Sequence, residues 1–171
     1  MAYAVPRTVF AIAQQTSSVC WATVYAMMKS WRDQRCFDPG SAVASIGAKY
    51  LELYRNNQVL PTEEFGPFIR AAGMEVEPMQ NKTVAAWEKM LRNFGPLWVG
   101  TLNSTSPNAG LHSRIIHAIS GDGTAPATRF SIVDPDGGRK YTESLTIFAL
   151  KYEGAYRAVD GEYFQIRHFT R

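Results

Sequence analysis

The chain has 171 residues, which at roughly 150 residues per domain predicts a single domain of two lobes. It is 46% apolar, 19% charged and 12% aromatic, enough bulk to bury a core, and this excludes disorder as the main state. The charge sum, 18 − 15 = +3, contains no Lys/Arg run longer than Arg139-Lys140, which argues against nucleic acid as a partner and favours an anionic surface only weakly.

In chain order, the apolar run Val9–Ala13 is short for a signal-peptide core, and Arg7 stands beside it without a longer basic region, so no Sec signal is expected. Thr8–Met28 is free of formal charge, but Gln14, Gln15, Thr16, Ser17, Ser18 and Thr23 argue against a membrane span. Thr16-Ser17-Ser18 offers capping hydroxyls for a helix from about Val19 to Asp33. In it Trp21, Val24, Tyr25 and Met28 make one buried stripe. Asp38-Pro39-Gly40 reads as a turn, and Ser41–Tyr54 as a second helix. Pro61-Thr62-Glu63-Glu64 opens a third, ending near Gly73, and Thr83–Phe94 is a fourth, stopped by Gly95-Pro96.

The period then changes. Leu97–Leu102, Ile115–Ser120 and Arg129–Val133 are short, apolar or alternating, and bounded by turn formers; Leu145–Tyr152 and Tyr163–Phe169 are two further strand candidates. Helices followed by an antiparallel sheet is the α+β pattern, with a helical lobe at about 14–94 and a sheet lobe at about 95–171.

Two cysteines, Cys20 and Cys36, are too few for a disulfide scaffold, and without a CxxC pair they do not suggest zinc. One bridge is arithmetically possible; the alternative is a working thiol and a bystander. Cys20 sits at the predicted start of the first helix, where free N–H groups and the helix dipole stabilise a thiolate. Taken alone, a free cysteine is more often a small buried apolar side chain.

A reactive thiolate needs a base, and the candidates are His112, His117 and His168. His117 lies within the strand-like Ile115–Ile119, and an antiparallel register pairing Gly121 with Phe130 sets it directly opposite Asp134, close enough for a carboxylate to orient an imidazole. Asp134 also reads as a turn former before Pro135-Asp136-Gly137-Gly138. His112, after a Ser/Asn/Pro-rich loop, and Cys36 take structural or surface readings. Gln14 and Gln15 stand six and five residues before Cys20, and either amide could serve an oxyanion together with the Cys20 backbone N–H.

Gln14-Gln15-Thr16-Ser17-Ser18-Val19-Cys20-Trp21-Ala22 resembles the nucleophile segment of papain-like cysteine proteases. His117-Ala118-Ile119 is similar to that family's histidine strand, and Asp134-Pro135, seventeen residues on, to its third triad member in the compact bacterial branch. The order Cys, His, Asp and the helical lobe before the sheet lobe agree. The resemblance implies Cys20 as nucleophile, His117 as general base and acid, Asp134 as orienter and Gln14 as oxyanion donor. Ser17-Ser18-Val19 departs from the Gly-Ser-Cys of plant and lysosomal relatives, and Asp134 stands where they use Asn.

The implied activity is cysteine-dependent hydrolysis of peptide bonds in a protein or peptide substrate, with no cofactor and no metal. With thirteen residues before Gln14, a long inhibitory pro-segment is not expected, and export, a host factor or a cognate inhibitor or immunity protein is expected to restrain a secreted or injected bacterial effector or toxin. Two alternatives keep the segment but change the function: a Cys-His-Asp amidase, glutamine deamidase or transglutaminase, and a non-catalytic binding module. Trp21 or Trp98 could line the cleft, although core positions are commoner for such residues.

Overall fold

The computed structural model describes residues 1–78, 80–106, 108–158 and 165–170. Its elements are β1 (Ala2–Ala4), α1 (Cys20–Asp33), α2 (Pro39–Ala44), α3 (Ala48–Arg55), α4 (Thr62–Ala71), β2 (Met74–Glu77), α5 (Val84–Phe94), β3 (Leu97–Leu102), β4 (Leu111–Ser120), β5 (Arg129–Asp134), β6 (Arg139–Ser144), α6 (Leu145–Ala158) and β7 (Ile166–Phe169). A short 3-10 turn, Asp136–Gly138, joins β5 to β6. The sheet is antiparallel in the order β2-β7-β3-β4-β5-β6, and β1 pairs with the far end of β4.

The expected α+β architecture holds, with local departures. α1 is buried from Trp21 through Met28 on every side rather than along one stripe, because it threads between the other helices and the sheet. Its polar groups are met internally: Thr23 Oγ1 donates to Val19 O (3.1 Å), Ser30 Oγ to Ala26 O (2.6 Å) and Trp21 Nε1 to Gln58 O (3.0 Å). The expected turn at Asp38 is a helix start, where the Asp38 side chain accepts from Ser41 N (2.8 Å) and Pro39 fills the first position. The single helix expected over Ser41–Tyr54 is two, because the chain leaves helical geometry at Gly47.

Leu145–Tyr152, expected as a strand, is the start of α6; Leu145, Phe148, Tyr152 and Ala155 are buried at helical spacing, and Phe148 and Tyr152 pack on Trp87. Of the expected strand Tyr163–Phe169, residues 163 and 164 lie outside the described residues, and Ile166–Phe169 is β7. The sheet also takes β1 and β2 from the first half of the chain.

One apolar cluster draws on both halves. At its centre the Phe68 ring makes edge-to-face contacts with Trp21 (5.5 Å between centroids), Tyr25 (5.2 Å), Tyr50 (4.9 Å) and Trp98 (6.3 Å), which locks α1, α3 and α4 onto β3. Gly95, at φ +82°, ends α5 where an added Cβ would lie 2.2 Å from the Trp31 ring; only glycine fits both demands. No helix among the described residues is long and apolar enough to cross a membrane.

Candidate active site

Cys20 is the first helical residue of α1. Its cap is Val19, with no side-chain hydrogen bond; the Thr16–Ser18 hydroxyls do not cap the helix, and Thr16 bonds Asn57 instead. The positive end of the helix is therefore left without a side-chain cap beside the sulfur. Both cysteines are free, and Cys36 is exposed.

The histidine against this sulfur is His112. β4 begins at Leu111, four residues earlier than its apolar run suggests, because Leu111 and His112 pair with Leu102 and Thr101 of β3. His112 Nε2 lies 2.7 Å from Asp134 Oδ1, and the ring is hydrogen-bonded to the Cys20 thiol, which leaves Nδ1 for the sulfur. Ser113, the next residue, also hydrogen-bonds Cys20 through its backbone and its side chain.

The expected pairing of His117 with Asp134 is incorrect. Ile115 pairs with Val133 and Ile116 with Ile132, but Ala118 pairs with Ser131, so His117 is the extra residue of a β-bulge. The sheet therefore brings Arg114, not His117, beside Asp134 (Nε to Oδ2, 3.1 Å), and His112 reaches the same carboxylate from two positions further along. The His117 carbonyl accepts from Val5 N (2.9 Å), while burial and the nearby Lys140 charge hold its ring below the ordinary histidine pKa. His168 is stacked on Phe94 (3.7 Å between centroids), with Nε2 3.2 Å from Glu77.

Burial opposes charge on all three grouped residues, and their mutual contacts overcome it. His112 is raised from 6.5 to about 9 by hydrogen bonds to Asp134 and Cys20 and by their negative charge. The Cys20 thiol is pushed up by burial but brought below its usual value by His112 and Ser113. Asp134 is lowered to about 2 by His112, by the Asp136 N–H (2.9 Å to Oδ1) and by the Arg114 charge. Near neutral pH His112 is an imidazolium and Asp134 a carboxylate, and the imidazolium beside it favours the thiolate form of Cys20. Among the described residues no group of three His, Cys, Asp or Glu side chains is placed to hold a metal ion.

Gln14 N donates to Pro135 O (2.8 Å), Lys140 Nζ donates to Val9 O (3.0 Å), and an added Cβ on Gly138 would lie 3.1 Å from Ala13 N. The segment before Cys20 thus lies along the turn that follows Asp134. Gln14 is partly buried there, with Oε1 enclosed, whereas Gln15 is exposed. A cavity of about 220 Å³ opens beside Cys20 and His112, lined by Trp21, Leu60, Phe65 and Leu111. Trp98 is not part of it, being fully buried against Phe68.

The model of the family described as papain-like cysteine protease AvrRpt2 matches residues 2–153, a span that includes Cys20, His112 and Asp134. No curated protein matches the sequence. A helix-borne cysteine and a sheet-borne histidine in a papain-like α+β fold agree with that match. The chain belongs to the papain-like cysteine protease AvrRpt2 family and is a cysteine peptidase, a hydrolase of peptide bonds.

Proposed function

We propose that the peptidase works through Cys20 as nucleophile, His112 as general base and acid, Asp134 as orienter, and Gln14 with the Cys20 backbone N–H as oxyanion donors. The carrying observation is the His112 ring held between the Cys20 sulfur and an Asp134 oxygen at 2.7 Å. The thiolate attacks the peptide carbonyl; the C–S bond forms as the carbonyl π pair moves onto oxygen, where the N–H donors receive it. His112 gives its proton to the leaving amine as the C–N bond breaks. Water then attacks the thioester, its proton passing to His112 and the sulfur leaving as thiolate. The apolar lining of the neighbouring cavity favours an apolar substrate side chain beside the scissile bond.

Family membership further supports a bacterial secreted or injected effector acting on a protein of another cell, restrained in its producer by export, a host factor or a cognate inhibitor. The reading takes residues 1–171 as one peptidase domain, supported by an apolar core that unites both halves. The test compares Cys20→Ala, His112→Ala and His117→Ala with wild type by N-terminal proteomics of target-cell lysates. New N-termini are expected from wild type and His117→Ala and from neither of the others. Cleavage retained in His112→Ala and lost in His117→Ala would overturn the assignment.

A further inference from the structure

Asp134 is held at both oxygens. Oδ1 takes His112 Nε2 (2.7 Å) and the Asp136 N–H (2.9 Å); Oδ2 takes the Tyr141 hydroxyl (3.1 Å) and lies 3.1 Å from Arg114 Nε. Arg114 follows His112 by two residues in β4, so both share one face of the strand. It is buried, with its side chain 3% exposed, and is itself anchored: Nη2 donates to Asn103 O (2.9 Å), Nη1 lies 3.9 Å from Glu143 Oε2, and Glu143 pairs with Lys151 of α6.

From His112 to Lys151 the signs therefore alternate: imidazolium, carboxylate, guanidinium, carboxylate, ammonium. A buried charge persists only when the next one answers it. Without Arg114 the tie on Oδ2 is the Tyr141 hydroxyl, and rotation of the carboxylate about its Cβ–Cγ bond would take Oδ1 out of line with the imidazole.

We propose that Arg114 is a positioning residue that acts through Asp134: seated on Glu143 and Asn103, it pins Oδ2 and so keeps Oδ1 aimed at His112. The proposal rests on the Cys20–His112–Asp134 reading. It also extends the site to α6, because Lys151 holds the glutamate that holds the arginine.

The experiment uses Arg114→Met combined with Glu143→Gln, which removes the paired buried charges together and leaves neither alone. Two readouts are taken: hydrogen exchange of the His112 ring N–H by NMR, and cleavage of a dye-labelled denatured protein. The ring N–H is expected to exchange at least about tenfold faster, and kcat to fall about 10- to 100-fold at unchanged KM. In an Asp134→Ala background the same pair of substitutions should cost no further kcat. Arg114→Lys keeps a cation but cannot span Asp134 and Asn103 together, so it should fall between the double variant and wild type. Should the double variant fail to fold, Arg114→Lys alone decides, with ring exchange expected at least about threefold faster.

Unchanged exchange with kcat within about twofold of wild type would overturn the proposal, as would an equal further loss in the Asp134→Ala background. A Cys20→Ala protein that still cleaves would instead overturn the underlying reading, so the two failures are distinguishable.

Discussion

The charge state of His112 gives the sharpest test of the site and needs no substrate. Its pKa stands at about 9 against an ordinary 6.5, so the folded protein favours the proton by roughly two to three logarithmic steps, on the order of 3 kcal/mol. That preference is what survives after burial has opposed it, and Asp134 and Cys20 supply it. Asp134→Asn removes the larger contributor while keeping the shape, and should lower the His112 midpoint by about 1 to 2 pH steps. At a pH of about 8.5, the imidazolium fraction would drop from roughly three quarters to about a tenth for a midpoint near 7.5. The assay is an NMR titration of protein labelled at histidine: the chain has three histidines, and single substitutions assign them. His117 supplies an internal contrast, since it should titrate below the ordinary value in both proteins. A wild-type His112 midpoint at or below 6.5, or one unmoved by Asp134→Asn, refutes the reasoning.

Cys20 should be alkylated by iodoacetamide about tenfold faster than Cys36 at a pH of about 6, although Cys36 is the more exposed, because His112 and Ser113 lower the Cys20 thiol pKa. Equal labelling by mass spectrometry would count against the ion pair. Gln14→Ala should cut kcat by about 10²- to 10³-fold while Gln15→Ala leaves it near wild type, as read by cleavage kinetics. The His112 pKa is raised on folding and the Asp134 pKa lowered, so in denaturant titrations the His112 contribution should be full below pH 6.5 and fade as pH rises through about 9, and that of Asp134 full above 3.8 and fade as pH falls through about 2. Phe68→Ala should cost about 3–5 kcal/mol of unfolding free energy, since four rings lose their common partner.

Local signals were sufficient to single out the proposed nucleophile. Cys20 stands where the helical period starts, six residues after Gln14, and both features lie within a few turns of chain. Asp134 was legible for a similar reason, as the last residue of an apolar strand before a proline turn. The proposed histidine was not, because its place beside Asp134 depends on pairing between distant residues. Nothing around Leu111-His112-Ser113 announces a strand; Leu102 and Thr101 across the sheet make it one. The bulge at His117 is equally silent in the alternating pattern, and without it a regular hairpin register sets the His117 ring, not that of His112, against Asp134. Arg114 gave no signal either, since a lone arginine in a strand acquires its role only when Asp134, Asn103 and Glu143 converge on it. α6 was misassigned although its apolar residues recur at helical intervals, as its first eight residues also have the length and composition of a strand.

The irregularity at His117 makes the two ends of β4 mechanically separable. All the slack of the β4–β5 ladder is gathered into one residue between the Ile116–Ile132 and Ala118–Ser131 pairs. Deleting it would close the ladder into regular pairing, with Ala118 still opposite Ser131 and the Ala2–Ala4 strand still docked there, and leave Leu111–Ile116 in step with Leu97–Leu102. The extra residue at 117 thus serves as a length spacer, an expansion joint that lets the outer rim of the sheet be recut by insertion or trimming while His112 and Asp134 keep their alignment.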